Sequence, residues 1–261
     1  MAGFIDIACN FTHESFQDNL DSVIANAENV GVEKFVLLSA SLKDLDPIQV
    51  IQSKSPEKYF ICAGIHPHHA SEINDINFDQ LLEKLQCTDP NAIGETGLDY
   101  FRNISPPNIQ RDAFRMQIDI AKELELPLYL HQRDAHDDFI NIIKENIEDF
   151  PKFIVHCFTG TQAQLDQYLE LGAYIGLTGW ICDARRNLDL RKSIKNIPIE
   201  RMMIETDCPY LIPKNLINKP KNNINEPKYL PHIAKEICEL IDIEIDKLKK
   251  VTTNNAINFF S

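Results

Sequence analysis

Short, nearly continuous apolar runs recur along this chain with amphipathic segments between them, and that alternation constrains the fold more than any other feature. Eight runs stand out: 4–9 (FIDIAC), 34–40 (KFVLLSA), 59–65 (YFICAGI), 91–94 (NAIG), 127–131 (PLYLH), 152–156 (KFIVH), 173–178 (AYIGLT) and 201–205 (RMMIE). Uniformly apolar runs of this length read as parallel strands covered on both faces. Segments 17–30, 78–86, 108–125, 136–148, 162–171 and 228–241 carry helical spacing; Ala113, Met116, Gln117, Ile120 and Leu124 line one side of 108–125. The tail 246–258 reads as one more helix, packed on the outside. Eight strands alternating with helices is the count of a closed barrel. A doubly wound open sheet would ask for a glycine-rich first turn, whereas Asn10, Phe11, Thr12 and His13 follow the first run. The predicted class is therefore α/β, a TIM (β/α)8 barrel. A length of 261 residues suits a single domain over 1–261.

The net charge of −13 argues against a protein that grips long duplexes through a basic surface. It leaves room for a site that holds a strand end through metal ions and a few local cations. Seven scattered cysteines without a C-x-x-C pair indicate neither a zinc knuckle nor a disulfide framework. No run of about 18 apolar residues is present, so no membrane span is expected. The start, MAGFIDIACNFTHE, has no basic stretch followed by a long apolar one. A soluble, cytoplasmic monomer is the expectation.

Metal-capable side chains fall at the ends of five of the runs: His66, Glu95, His131, His156 and Asp207. In a parallel barrel the C-terminal strand ends form the active site. A single strand-end histidine is about as often a hydrogen-bonded core residue as a ligand. The parallel placement of His131 and His156 on consecutive strands favours ligation of a divalent transition metal. Carboxylates at the barrel mouth are costly unless paired or metal-bound, so Glu95 and Asp207 join them as ligands. Both are also catalytic candidates, with Asp207 taking a proton from the attacking water. The competing assignment is a salt bridge to Arg102, Arg133 or Lys214. His66, Asn10 and Arg133 are the substrate-binding candidates, since a guanidinium takes a phosphate bidentately; Arg102 is a further clamp. Trp180 is placed to stack on a base or to pack under a loop. His68 and His69 read as solvated loop residues. The long loop 208–227 frames the cleft. No G-x-S-x-G elbow, P-loop or H-E-x-x-H helix is present.

At these residues the chain closely resembles the TatD family of metal-dependent deoxyribonucleases. The matching stretches are GIHPHH (64–69), IGETGLDY (93–100), HQRDAH (131–136), HCFTG (156–160), ETDCPYL (205–211) and NEP (225–227). The resemblance runs end to end, and the order and spacing are specific although each motif alone is weak. It implies a TIM barrel with nuclease activity, 3′ to 5′ and exonucleolytic on single-stranded DNA or strand ends. It also implies Glu95, His131 and His156 as metal positions and Asp207 as the strand-8 aspartate. Mg²⁺ is the ion it favours, with Mn²⁺ or Zn²⁺ as alternatives. Many family members carry H-x-H at the end of strand 1, where this chain has Ala8-Cys9-Asn10. That matches the short IDI-x-x-N form of the TatD subgroup proper, and it leaves one of two metal positions short of ligands. One ion or two therefore stays open, with the Asn10 carbonyl oxygen as a substitute donor. The rivals are a metal-dependent hydrolase of a small ester or lactone, deacylation of an aminoacyl-nucleic acid, and a non-enzymatic binding module.

Overall fold

The computed structural model describes residues 3–146, 152–185 and 187–261. Eight parallel strands pair in sequence order: β1 (Phe4–Cys9), β2 (Val32–Leu38), β3 (Tyr59–Ala63), β4 (Ala92–Asp99), β5 (Leu128–Arg133), β6 (Phe153–Val155), β7 (Tyr174–Leu177) and β8 (Met202–Ile204). The connecting helices are α1 (Leu20–Glu28), α2 (Leu45–Ser53), α3 (Phe78–Gln86), α4 (Pro107–Glu123), α5 (His136–Glu145), α6 (Gln162–Glu170), α7 (Leu188–Ser193), α8 (Leu230–Ile241) and α9 (Ile245–Phe260). This is the TIM barrel that the alternation predicts. No described helix is long and apolar enough to cross a membrane.

The period of two along each strand divides the core. Ile5, Ile7, Val36, Leu38, Tyr129, Ile154 and Met203 belong to one buried cluster, and their neighbours Phe35, Leu37, Leu128, Leu130 and Val155 belong to another that includes the helices. Helix starts are set locally: Asn77 with Gln80 and Thr161 with Gln164 form reciprocal capping boxes at α3 and α6. Two helices, α2 and α7, lie outside the segments singled out from the sequence. The predicted helix 136–148 ends at Glu145, and positions 147 and 148 lie outside the described residues.

The tail does not lie on the outside. Ala256, Phe259 and Phe260 of α9 join the cluster of Ile5, Ile7 and Tyr129; Phe260 stacks on Phe60 with centroids 5.6 Å apart. Fully burying a phenylalanine contributes about 1.5–3 kcal/mol, so α9 is an integral part of the core.

The last gap, between β8 and β1, is bridged at Cys9 and Cys208. Beside that bridge a side chain does the pairing. Asp6 accepts the Thr206 amide at Oδ1 (2.9 Å) and the Thr206 hydroxyl at Oδ2 (2.5 Å). Burial pushes Asp6 up to about 7, although the Thr206 bonds oppose the shift. The folded protein thus keeps a proton that the unfolded chain loses near pH 4. The stability this proton provides is fully present below about pH 4 and is lost as pH rises to about 7. Asp6→Asn keeps an acceptor for the Thr206 amide without the ionisation. Its melting temperature relative to wild type is expected to climb from pH 4 to pH 7 and level off above. A pH-independent offset in calorimetry would contradict this.

Candidate metal centre

β4 delivers the central carboxylate. The run predicted to stop at Gly94 continues to Asp99, because Gly94 and Gly97 let β4 pass close to β5. A Cβ at Gly94 would overlap the Tyr129 carbonyl oxygen, and one at Gly97 that of His131; both glycines also have positive φ (145° and 136°). The strand therefore carries two carboxylates to the barrel mouth, Glu95 and Asp99, both buried.

Three imidazoles converge on Glu95 Oε1: His156 Nε2 at 2.7 Å, His131 Nδ1 at 2.8 Å and His66 Nε2 at 3.2 Å. Burial alone would raise the Glu95 pKa. The charge of His156 and the hydrogen bonds from His131 and His156 outweigh it and hold Glu95 well below the ordinary carboxylate range. For His131 and His156 burial lowers basicity, but the neighbouring carboxylates outweigh it and raise both, His156 strongly. A proton and a divalent cation thus compete for the same nitrogens.

The donor set fits a metal. His131 Nδ1 and His156 Nε2 lie 3.3 Å apart and both face Glu95 Oε1, so a cation that displaces their protons would meet two imidazole lone pairs and a carboxylate oxygen at one point. The opposite nitrogens, His131 Nε2 and His156 Nδ1, are buried with no hydrogen-bond partner among the described residues. Each faces a second carboxylate at longer range, Asp99 Oδ2 at 3.4 Å and Glu205 Oε1 at 3.6 Å. A carboxylate behind each ligating imidazole is the arrangement that orients metal-bound histidines. Glu205 is itself held by the Tyr129 hydroxyl (2.7 Å) and the Cys157 amide (2.5 Å).

His66 differs. Its Nδ1 accepts the His68 amide at 3.1 Å, so in the neutral ring Nε2 carries the hydrogen and donates to Glu95. Burial pushes His66 down to about 4, against the pull of Glu95, which keeps it neutral. Its nitrogen lies within 4.8 Å of the Glu95 and His131 donors, yet its tautomer makes it a donor.

Asp207 lines the same cleft, in the left-handed region at φ 56°, and takes the Asn10 amide nitrogen on Oδ1 at 3.2 Å. Burial pushes it up to about 8; His156 pulls the other way and Glu95 and Glu205 add to the rise. Asn10 also donates Nδ2 to the Cys208 carbonyl (3.0 Å), so its amide nitrogen is the part turned towards Asp207. At the other strand-1 position Ala8 is fully buried. Arg133, Arg102, Lys214 and Trp180 line the cleft, whose volume is about 830 Å³. Lys219 and Lys221 are exposed on the 208–227 loop, outside the lining.

Four residues escaped the sequence reading: Asp99, Glu205, Asp6 and His68. His68 is not a solvated loop residue, since its Nε2 lies 2.8 Å from Asp99 Oδ2. Glu205 had a visible signal, since it follows RMMI directly. A further group, Asp6, Cys9 and Cys208, has metal-capable atoms within 4.8 Å of one another. The Asp6 oxygens are committed to Thr206, and burial raises both thiols and keeps them protonated. That group belongs to the seam.

The family described as TatD related DNase matches residues 5–261. A Rahnella protein named 3′-5′ ssDNA/RNA exonuclease TatD is 40% identical over 256 residues, covering 98% of this chain and 97% of its own. The crystal structure of YJJV, a TatD homolog from Escherichia coli K12, superposes with TM-score 0.88 at 25% identity, over 98% of this chain and 97% of its own. A TatD family hydrolase from Entamoeba histolytica gives TM-score 0.88 at 28% identity, over 99% of this chain and 98% of its own. With the family model matching almost the whole chain, this protein belongs to the TatD-related DNase family.

Proposed function

We propose that this protein is a divalent-metal-dependent exonuclease that removes nucleotides from the 3′ end of single-stranded DNA in the cytoplasm, as a monomer of one catalytic domain. The observation that carries the reading is Glu95 held under His131 and His156 at the barrel mouth, beside Asp207 in the same cleft. Glu95, His131 and His156 would hold the ion, Mg²⁺ by preference, with Asp207 lining the same cleft. When bound, the ion supplies Lewis-acid polarisation of the phosphoryl group and charge neutralisation in the transition state.

The chain supplies the rest. Asp207 would accept the proton of the attacking water at its carboxylate; burial favours its protonated form, and a cation beside it would favour the anion the role requires. Asn10 donates to Asp207 Oδ1 and fixes the direction in which that oxygen faces. Glu205 and Asp99 hold the two imidazoles in orientation, while His66 donates to Glu95 and steadies its rotamer. Arg133 and Arg102 receive the phosphates.

The test is purified protein on 5′-labelled single-stranded DNA. Stepwise shortening with Mg²⁺, stopped by EDTA, is expected. Intact DNA under every divalent ion, with hydrolysis of a lactone or an aminoacyl ester instead, would sink the proposal.

A further inference from the structure

A second cavity of about 890 Å³ adjoins the metal centre and shares Gln132, Arg133, Thr159 and Trp180 with it. The two cavities differ in charge. In the catalytic cleft Arg102, Arg133 and Lys214 stand against Glu95, Asp99, Asp183 and Asp207, whereas Arg133 is the one Lys or Arg among the described residues lining the second cavity. Asp134, Asp137, Asp138 and Asp189 line that cavity too, with Asp138 committed to Arg111 and the Tyr100 hydroxyl. Clustered carboxylates repel a phosphate and accept from amino groups. Ring surfaces complete the wall. Phe101 is 56% exposed despite its size, and the Arg133 guanidinium lies 3.9 Å above its ring. Trp180 and Phe158 are further ring-bearing wall residues.

An uncharged planar group with exocyclic amines and a charged tether fits this division: the ring enters the acidic, aromatic cavity and the phosphate stays at Arg133. We infer that the second cavity is the subsite for the unpaired base of the nucleotide preceding the one removed. Phe101 and Trp180 are its stacking surfaces, and Arg133 meets the linking phosphate. The inference rests on the exonuclease reading above and extends it to substrate selection. A paired base cannot enter without leaving its stack, so the subsite selects single strands, and the carboxylates favour amino-bearing bases over thymine.

Trp180 is the sole tryptophan of the chain, so its emission reports on the wall that the two cavities share, and the abasic ligand separates the base's effect from that of the phosphates. The test titrates the full-length protein, in Mg²⁺, with a non-hydrolysable phosphorothioate-linked trinucleotide of deoxyadenosine. A second ligand has an abasic residue at the penultimate position. The base-bearing ligand is expected to change the emission saturably and to bind about tenfold more tightly than the abasic one, as loss of one base–aromatic stack implies. Phe101→Ala, at an exposed position, is expected to raise the Kd of the base-bearing ligand about tenfold and to leave the abasic ligand unchanged. Equal Kd values for the two ligands, or an unaltered emission, would overturn the subsite. Cleavage of an ordinary oligonucleotide is scored in parallel. Base-dependent quenching without cleavage overturns the exonuclease reading and keeps the base site, while cleavage without a base effect does the reverse.

Discussion

Glu95→Gln is expected to lower kcat/KM on single-stranded DNA by roughly 10³-fold or more, the equivalent of several kcal/mol of metal-derived transition-state stabilisation. The side chain keeps its shape and loses its charge. That charge is what His131, His156 and His66 share, all three approaching Oε1. A neutral amide leaves the two orienting carboxylates, Asp99 and Glu205, in place but removes the anionic ligand between the imidazoles. Because the imidazoles favour the ionised Glu95 in the folded protein, the substitution is expected to lower the metal-free melting temperature, so activity is compared well below it. A second readout separates binding from chemistry. In wild type, Mg²⁺ at about 100 times its Kd adds about 2.7 kcal/mol of stability, a rise in Tm of roughly 5–10 °C for a chain of this size. Glu95→Gln is expected to abolish that rise. Activity and a metal-induced shift that both survive the substitution would remove Glu95 from the centre.

Asp207→Asn is expected to cut kcat by roughly 10²–10⁴-fold with little change in KM, the range for loss of a general base. The variant is informative because the fold has no stake in the charge. Burial pushes Asp207 up to about 8, so its anion is disfavoured in the folded protein, and an asparagine is expected to leave the melting temperature unchanged or raised. Asparagine also tolerates the φ of 56° that the position requires. An alanine there would add backbone strain of about 1–2 kcal/mol and blur the comparison. A variant whose KM rises while kcat holds would make Asp207 a binding residue.

Much of this was legible in the chain because its physics is local. Apolar runs buried on both faces announce parallel strands, and residues closing those runs announce the barrel mouth. Hence the placement of Glu95, His131, His156 and Asp207 followed from counting strands. What escaped depends on contacts between distant segments. The fourth run reads as ending at Gly94, yet the close passage of β5 extends the strand through 95–99 and brings Asp99 behind His131. Asp6 looks like an interruption in an apolar run, and only the meeting of β1 with Thr206 gives it a partner. The tail 246–258 reads as a helix on the outside, since nothing local says that Phe259 and Phe260, just beyond it, join the cluster of Tyr129 and Phe60. His68 is two residues beyond the strand-end histidine and acquires its role from Asp99, on another strand.

The claim at the centre is that Glu95, His131 and His156 hold the catalytic ion. Anomalous X-ray scattering from crystals grown with Mn²⁺ tests it most directly. The expected result is one strong peak ligated by Glu95, His131 and His156, absent from Glu95→Gln crystals. A peak confined to the Asp6, Cys9 and Cys208 seam, or density unchanged by the Glu95 substitution, would contradict it.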